Sequence, residues 1–436
     1  MTGATTTSVV NLLQKNYLPG ITRQFNDDFP NLRYIRQNSS SINAEGDEAV
    51  IAIQTGLNEG GSFHGESADV AASGYSRVST VSVSLKQMTF RLRISLKLMK
   101  KARTNAAAFA RALQHHMTAT RDAVTLTANQ YLWGDGSGCM ARVVSESVTA
   151  DNKMILNRAY GQTAGGSPES IIREGQTLHI LDTLGYSSGV SADRGTGVVK
   201  NVNWDTGTDG QIEVELESGH TMASATLAAD DYVYLQNTIE GWTDAGETED
   251  NSPAMGLLGM YSATLRPTLQ GVASTDVAKW APEEMAATQA SVIADLRRAR
   301  NRVSKRAGKK ARIAYAISSY ETHERYADAL DSKVEFRNVS RYDSGWDFDM
   351  FYGRPWFMDH TAPDGLLFFV PSGGNIQRYA VTDFIEFVEE GGSSMNLVPN
   401  KTVYDILLTA IYEYGISRRN SLISVSGLTW DIYQQP

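Results

Sequence analysis

Two short motifs in the chain carry the residues of hydrolase active sites. Residues 185–189 read Gly-Tyr-Ser-Ser-Gly, the pattern of a nucleophile elbow, which places its serine on a sharp turn that leads directly into a helix. The residues that follow here, 190–195, are typical of a loop. Residues 205–207 read Asp-Thr-Gly, as in aspartic proteases, whose chemistry needs two carboxylates that share one proton. This copy lies between two polar-faced strands, so both motifs predict turns rather than catalytic sites.

The histidines and the glycine-rich segment do not have the spacing of a metal or phosphate site. His115 and His116 are adjacent, so on a helix their side chains point in different directions and cannot share a metal ion. His323 has no second histidine at the spacing of a metalloprotease. Residues 134–138 lack the Lys-Ser/Thr pair and the following helix of a phosphate-binding loop. We therefore predict no enzymatic activity, no metal site and no cofactor.

Positive charge is concentrated in residues 297–312, where nine of sixteen residues are lysine or arginine. Cations near the C-terminal end of a helix are stabilised by the helix dipole, and a solvated charged face is the interpretation that we favour. The alternative is an electrostatic contact with acidic patches of a neighbouring subunit or with packaged nucleic acid, without base specificity. The residues that would make this contact are Arg297, Arg298, Arg300, Arg302, Lys305 and Arg306.

The composition limits the class of protein. The 436 residues are enough for about two or three domains. The formal net charge of -9 argues against a protein that coats nucleic acid over its whole surface. Cys139 is the only cysteine, which excludes an intramolecular disulfide and a cysteine-rich metal site. The first residues do not resemble a signal peptide and no apolar run approaches the ~20 residues of a membrane helix, so we expect a soluble cytoplasmic product without a membrane partner.

A long helix is predicted between Arg103 and Gly134. Apolar or small residues recur there every three or four positions, which gives one continuous stripe along a helix. Thr104 and Asn105 are suitable N-caps, Gly134 can end the helix, and the rise of ~1.5 Å per residue gives a length of roughly 45 Å. Because much of the stripe is Ala and Thr, we expect it to pack closely against a sheet or another backbone rather than in a coiled coil. Its larger side chains are Phe109, Leu113, Met117, Val124 and Tyr131.

The chain before this helix is predicted to be an arm followed by a long β-ribbon. Residues 1–45 are expected to order only on a partner. From Glu48 to Leu98 apolar residues alternate along two long strands, and the parity of the alternation shifts by one in the returning strand, which predicts a β-bulge. A two-stranded ribbon needs about a third strand or a packed partner for stability, and a neighbouring subunit is the economical candidate. The residues expected in this contact are Phe63, His64 and Glu66 near the tip and Lys86, Arg91 and Arg93 on the returning strand.

The remainder of the chain combines short strands with helices. Residues 140–245 are predicted to contain short strands separated by turns, at Arg142–Val148, Thr177–Leu181, Gly197–Trp204, Gln211–Glu217 and Asp231–Gln236. Pro282 is suited to the first position of a helix that ends at Gly308, and Ser318-Ser319-Tyr320-Glu321 has the spacing of a capping box for a second helix. The later predicted strands are Ile313–Ile317, Leu366–Val370, Asp383–Glu389, Thr402–Tyr414 and Ser421–Val425.

The order of these parts resembles the major capsid proteins of tailed phages, which have the Hong Kong 97-type fold. Two local patterns add to the resemblance. Residues 131–136, Tyr-Leu-Trp-Gly-Asp-Gly, look like the exit of that family's spine helix. Residues 352–355, Tyr-Gly-Arg-Pro, followed by Pro-Asp-Gly-Leu-Leu-Phe-Phe at 363–369, are similar to its late Gly-x-Pro motif and hydrophobic strand. The resemblance covers nearly the whole chain and rests more on the order of elements than on one motif.

The resemblance implies an α+β fold with an N-arm, an extended loop, a spine helix, a peripheral domain and an axial domain. The corresponding segments are 1–45 (N-arm), 46–98 (extended loop), 99–144 (spine helix and start of the peripheral domain), 145–250 (inserted β-rich domain), 251–400 (axial domain) and 401–436 (C-terminal strands that return to the peripheral domain). Some members cross-link a lysine of the extended loop to an asparagine of a neighbour. Lys86 lies in that element, but no asparagine partner or catalytic acid is identified, so no such bond is predicted.

The implied function is structural: self-assembly into pentamers and hexamers that form an icosahedral or prolate shell around double-stranded DNA in the virion, after assembly in the host cytoplasm. The implied partners are other copies of the chain, a scaffolding protein, a portal and the packaged DNA, with a decoration protein as a further candidate. An encapsulin-type protein compartment has the same fold and is the first alternative. A hydrolase or binding module on another fold is the outside alternative, and it would need a convergent pocket that the sequence does not show.

Overall fold

The computed structural model of the chain describes residues 30–37, 48–61, 63–66, 69, 72–97, 106–147, 152–162, 166–188, 190–204, 210–222, 227–243, 251–277, 280–288, 291–308, 312–331, 339–341, 347–372, 375–380, 386–388, 396–398 and 401–428. The α-helices within these ranges are α1 (Pro30–Tyr34), α2 (Ala106–Trp133), α3 (Leu257–Tyr261), α4 (Val292–Ala307) and α5 (Tyr320–Asp331). None of the helices in the described ranges is long and apolar enough to cross a membrane. The predicted N-arm, 1–45, lies outside these ranges except for residues 30–37.

The described strands form two large sheets, a closed barrel and two small two-stranded sheets. In chain order the strands are β1 (Arg36–Gln37), β2 (Glu48–Gly56), β3 (Arg77–Ser84), β4 (Lys86–Ser95), β5 (Cys139–Ser147), β6 (Lys153–Asn157), β7 (Thr177–Leu181), β8 (Asp193–Asn203), β9 (Ile212–Leu216), β10 (Tyr232–Leu235), β11 (Thr268–Leu269), β12 (Val272–Ala273), β13 (Glu283–Ala286), β14 (Ile313–Ser318), β15 (Val339–Arg341), β16 (Asp347–Phe351), β17 (Arg354–Met358), β18 (Gly365–Pro371), β19 (Ile376–Ala380), β20 (Glu386–Phe387), β21 (Asn396–Leu397), β22 (Val403–Ile416) and β23 (Ile423–Leu428).

Helix α2 confirms the predicted long helix, but its C-terminal part is buried on all faces and not along one stripe only. The helix lies within the predicted bounds. Of the predicted stripe, Val124 and Tyr131 are buried, Met117 is half-buried, and the side chains of Phe109 and Leu113 lie outside the described ones. Every residue from 126 to 133 is buried, polar side chains included. The C-terminal end of α2 is therefore enclosed on all sides by the rest of the chain, whereas a stripe would leave one face in solvent.

The predicted ribbon divides into two parts that belong to different sheets. β2 and β3 form a two-stranded antiparallel ribbon. β4, which continues the same chain, instead pairs along its whole length with β22, from Lys86 opposite Tyr412 to Ser95 opposite Val403. The shift of parity that predicted a β-bulge is thus a change of sheet at Leu85. That prediction was wrong because a bulge and a break between two strands produce the same shift in the alternation.

The base of the ribbon packs against its own chain. One face of β2 and β3 contributes Ala49 and Val83 to a small core that also contains Trp280 and Tyr379. The Ser82 amide donates to a carbonyl of the β11–β12 hairpin, 3.1 Å away. The expectation that a neighbouring subunit covers the ribbon was therefore wrong for its base, because residues distant in sequence supply the packing that a two-stranded ribbon needs.

Residues 139–235 contain a closed six-stranded barrel, in the order β10-β5-β6-β9-β8-β7. The five strands predicted in this region correspond to β5, β7, β8, β9 and β10, while β6 was not predicted. Alternate residues of the strands are buried, among them Leu156, Ile180, Val214 and Val233. β5 begins directly after the glycine-rich turn that follows α2, so the barrel is joined to the buried end of the long helix.

The second half of the chain forms a seven-stranded sheet, in the order β13-β23-β18-β14-β17-β16-β15. Helices α4 and α5 pack on it, with Leu296 and Val303 of α4 in one core with Trp356 and Phe369 of the sheet. The prediction that Pro282 opens α4 was wrong. Residues 283–286 instead form β13, because they lie parallel to β23 and hydrogen-bond to its edge. The capping-box region does precede α5 as predicted, and its cap is Ser319, whose Oγ accepts the Thr322 amide at 3.3 Å.

The C-terminal strands cross the boundary that was predicted at residue 400. β22 pairs with β19, β20 and β21, which precede that boundary, and with β4 from the first quarter of the chain. β23 lies in the middle of the seven-stranded sheet, between β13 and β18. The expectation that both C-terminal strands return to the same unit was therefore wrong. Strand patterns give the period of an element but not its partner, which is why the pairing was not predicted.

Candidate assembly surfaces

The tip of the ribbon exposes large apolar side chains. Leu57 is 65% exposed, Phe63 is fully exposed and Tyr75 is 72% exposed, all in the loop between β2 and β3. Val50 and Val78, on the strands themselves, are more than half exposed. A protein that stays monomeric seldom gathers so much apolar surface on one projecting element, so the tip has the composition of a binding surface.

The other predicted tip residues are polar and exposed. His64 donates a ring N–H to the carbonyl of Gly65, 3.1 Å away, and Glu66 is exposed. The Asn58 side-chain oxygen accepts the Gly60 amide at 3.1 Å, which closes a turn at the start of the loop. Phe63, His64 and Glu66 thus all lie exposed in the loop between β2 and β3, and their contact with a neighbouring subunit stays a prediction.

The three predicted contact residues on the returning strand lie against β22 instead. Arg93 donates two hydrogen bonds to Asp405, at 2.8 and 3.0 Å, and Arg91 lies 3.8 Å from the same carboxylate. The hydrogen bonds from Arg93 lower the pKa of Asp405. Lys86 lies opposite Tyr412 and near the buried Glu413. These residues are separated from the tip by the whole length of β3, so the structure does not join the two predicted groups into one surface.

The basic helix α4 keeps one face buried and the other charged. Arg302 and Arg306 both bind Glu283 of β13, at 2.7 and 2.5 Å. Arg298 lies 3.0 Å from Asp295, whose own pKa is lowered by the hydrogen bond from Ser291. Lys305 is exposed, whereas Lys309 and Lys310 lie outside the described residues. Part of the positive charge is therefore neutralised within the chain.

Arg297 and Arg300 bind an aromatic side chain rather than a carboxylate. The Nε of Arg297 donates to the hydroxyl of Tyr352 at 2.8 Å. The guanidinium of Arg300 lies 4.6 Å from the centre of the same ring, a cation–π geometry. Tyr352 and Gly353, both with positive φ, form the turn between β16 and β17, and Tyr352 is 48% exposed. The hairpin tip and α4 thus hold each other in place.

Buried polar side chains that the sequence did not single out join the large units. Asn129 of α2 donates to Thr361 (2.6 Å) and to both carboxylate oxygens of Asp359 (3.3 and 3.2 Å). Tyr160, next to the barrel strand β6, donates to the Thr361 carbonyl at 2.7 Å. Burial raises the pKa of Asp359. One polar cluster therefore ties together the long helix, the barrel and the seven-stranded sheet.

Two arginines reinforce the same junction. Arg266 donates to both carboxylate oxygens of Glu240, at 2.5 Å each, and to the carbonyl of Asp135 at 2.8 Å. Arg419 is fully buried and donates to the carbonyls of four residues between 259 and 266. Asn129 lies beside the apolar stripe of α2 and not on it, so no signal in the sequence indicated this cluster.

Of the two motifs that resemble hydrolase active sites, one lies in a loop and the other lies outside the residues that the structure describes. Residues 185–188 form a loop that no helix follows, and 205–207 are not among the described residues. His323 is buried and lies edge-on against Trp356 with ring centres 5.3 Å apart. Within the part of the chain that the structure describes, no group of three or more His, Cys, Asp or Glu side chains could hold a metal ion.

The structural comparisons identify the fold. No protein-family sequence model matches the chain, and no curated protein sequence matches it. A chain of the cyanophage A-1(L) capsid asymmetric unit has the same fold, with a TM-score of 0.51 at 11% identity over 98% of this chain and 100% of that one. The likeness to phage capsid chains that the order of elements predicted is therefore confirmed as a likeness of fold.

Two further structures are similar over nearly the whole length of the chain. A chain of the capsid of Myoviridae phage XM1 matches at 8% identity over 95% of this chain and 96% of that one, with a TM-score of 0.46. A chain of the holo-SrpI encapsulin complex from Synechococcus elongatus PCC 7942 matches at 7% identity over 100% and 99%, with a TM-score of 0.47.

Proposed function

We propose that the chain is the major capsid protein of a tailed phage, which assembles into pentamers and hexamers that close into an icosahedral or prolate shell around double-stranded DNA. The observation that carries the proposal is the ribbon: its base is packed into the chain and its tip exposes Leu57, Phe63 and Tyr75. The fold shared with the cyanophage capsid chain supports it. The role is structural, with no catalytic step.

The ribbon would make a contact between two different surfaces of neighbouring subunits. A tip that projects from one subunit and enters a different surface on the next makes a heterologous contact, which closes into rings when the rotation allows it. Burying a large apolar side chain contributes about 1.5–3 kcal/mol, whereas association of two subunits costs an estimated 4–15 kcal/mol. One tip is thus marginal by itself, and rings or shells in which every tip is docked are favoured over isolated dimers.

In this proposal the fold is of the Hong Kong 97 type, with modified domain boundaries. Residues 1–45 are the N-arm, β2 and β3 are the extended loop, and α2 is the spine helix. The barrel is an inserted domain and the seven-stranded sheet with α4 and α5 is the axial domain. Because β4 and β22 pair along their length, they form the stem of the peripheral domain from which the ribbon projects.

The proposed partners follow from the same role. Other copies of the chain form the shell, a scaffolding protein guides its curvature, a portal occupies one vertex, and the packaged DNA lies inside. A decoration protein is a further candidate partner. The proposed location is the virion, after assembly in the host cytoplasm.

The test is the size of the assembled product. The chain is expressed alone and with a candidate scaffolding protein, separated by sedimentation, and the fast fraction is imaged by negative-stain electron microscopy. We expect rings or hollow shells from the native chain and only slow material from a Leu57→Ser, Phe63→Ser variant. Leu184→Ser, at an exposed position of the barrel, is the matched control and should assemble normally.

Two results would change the assignment. A native chain that remains monomeric or dimeric in the presence of scaffold would contradict a shell protein of either kind. Shells that contain protein cargo instead of DNA would indicate an encapsulin-type compartment.

A further inference from the structure

The exposed side of α4 carries more positive charge than its neighbours neutralise. We define the basic face as Arg297, Arg298, Arg300, Arg302, Lys305 and Arg306. The opposite side of the helix, including Leu296, Ala299 and Val303, is buried. Among the described side chains, two carboxylates form ion pairs with this face: Asp295 pairs with Arg298, and Glu283 pairs with both Arg302 and Arg306. Two negative charges against six positive ones leave four positive charges without a counter-charge there. In a chain of net charge -9, such a concentration creates a strong local field.

The arginines of the face are held in position before any partner binds. The bond from Arg297 to Tyr352 uses one of the five N–H donors of its guanidinium, and Arg300 stacks on the same ring. Arg302 and Arg306 share Glu283. Arginine side chains whose rotamers are already fixed lose less conformational entropy when they bind, and their planar groups can donate two parallel hydrogen bonds to one phosphate.

We propose that the basic face binds the phosphate backbone of double-stranded DNA without base specificity, and that it therefore faces the interior of the shell. A helix of sixteen residues spans roughly 24 Å, along which a DNA duplex presents a continuous line of one charge per ~1.7 Å. Five of the six cations are arginine, the residue suited to phosphate. The proposed function supplies the DNA and the shell, whereas the affinity of the face for duplex rests on its own geometry.

The binding test compares two neutralised sets of cations on the full-length chain. Binding to a labelled duplex of random sequence is measured by fluorescence anisotropy between about 50 and 200 mM salt. In the face variant Arg297, Arg300 and Lys305 are changed to Gln; the control carries the same loss of charge at Arg91, Lys153 and Lys200, which are exposed or half-exposed elsewhere. We expect the slope of log K against log salt, which is negative, to become less negative by roughly 2–3 in the face variant and to stay unchanged in the control, since each phosphate contact contributes about -0.9 to the slope.

Three outcomes would overturn the proposal. One is a native chain that does not bind duplex. Another is an equal weakening of the salt dependence of duplex binding in both variants, which would mean that only the net charge of the chain matters. The third is a face variant that binds DNA normally but fails to form rings, which would make the face a contact between subunits. Rings or shells in the native preparation are scored separately, so failure of the capsid assignment is distinguishable from failure of DNA binding.

The orientation of the face is tested by thiol labelling. Cys139 is buried, and burial raises the pKa of its thiol, so the native chain offers little reactive thiol. Asn301→Cys places one on the exposed side of α4. With a maleimide attached to a large polymer, we expect rapid labelling of free subunits and protection in closed shells. Equal labelling of closed shells and free subunits would place the face outside and refute the orientation.

Discussion

At the scale of single residues, Glu413 is a buried carboxyl group whose surroundings disfavour its charged form. Burial raises its pKa from 4.5 to about 8, although the backbone amides of Met255 and Tyr414 donate to its Oε1 at 2.7 Å and Lys86 lies near. Between pH 4.5 and 8 the unfolded chain releases this proton and the folded chain keeps it. The folded state then binds more protons, so its stability falls as pH rises through that window.

Glu413→Gln should remove this loss of stability. Glutamine retains an oxygen that can accept both amides but cannot ionise. At about 1.4 kcal/mol per pH unit, we expect the variant to exceed the native chain by about 3–5 kcal/mol near pH 8 and to match it near pH 4.5. The measurement is urea unfolding of the unassembled chain at both pH values. Glu386→Gln, at an exposed position, is the control, and an equal pH dependence in native chain and Glu413→Gln would contradict the argument.

Asn129 gives a second residue-scale prediction. Changing it to Leu leaves the buried Asp359 without the Asn129 donor, and an unsatisfied buried polar group of this kind costs about 1–3 kcal/mol, or more where it is charged. We expect a lower denaturant midpoint with an unchanged slope. Thr125→Val on the same helix, which removes only a bond to the Arg121 carbonyl, should change little. Equal losses in the two variants would mean that the cluster does not stabilise the junction.

The sequence predicted exposed residues better than buried polar ones. Phe63 was placed correctly at the tip, since the glycine-rich segment around it indicated a loop. Asn129, Arg419 and Glu413 were missed because their burial depends on which distant segments cover them. Composition and local period contain no information about that.

At the scale of elements, local pattern predicted the types and approximate bounds but not the partners. The long helix, the strand Thr177–Leu181 and the strand β14 were found where the alternation placed them. β4 and β13 were misread because each pairs with a C-terminal strand, β22 or β23, more than a hundred residues away. Such pairing outweighs local preference, as the strand at 283–286 demonstrates.

The close approach of the ribbon base to β22 gives a prediction for these elements. A Cβ added at Gly415 would lie 2.5 Å from the ring of Tyr379 and 2.9 Å from Val83 of β3. Gly415→Ala must therefore displace the ribbon base or the ring, at about 1–3 kcal/mol. We expect a lower Tm and fewer shells, because the tip no longer points in its native direction. Gly61→Ala, where a Cβ meets no atom within 4 Å, is the matched control. An unchanged Tm for Gly415→Ala would show that the packing there is loose.

At the scale of the whole molecule, the buried junction holds the large units together, and the ribbon extends from them. The polar cluster around Asn129 and the bonds of Arg266 hold helix, barrel and sheets in fixed relation, so the ribbon leaves the chain at a defined place. The order of elements was sufficient to predict the class of fold. The sheet boundaries were not predictable, because the six-stranded sheet joins strands from the first quarter of the chain to β19–β22, while β23, the next strand after β22, belongs to the other large sheet.

In the proposed assembly, the ribbon tip and the surface that it contacts on a neighbouring subunit are different parts of the chain, which allows a last prediction. Gly56 and Arg77 are the final pair of the ribbon, so residues 57–76 can be replaced by Asn-Gly, whose two-residue turn joins antiparallel strands directly. The shortened chain keeps its core and the surface that a neighbour's tip would contact. It lacks the loop with which it would itself contact the next subunit. We expect native-like thermal unfolding and no rings. Mixed with the native chain before assembly, it should suppress shells more steeply than simple dilution, because one such subunit interrupts a whole ring. If the mixture loses shells only in proportion to the native chain removed, the tip does not make the contact that closes the ring.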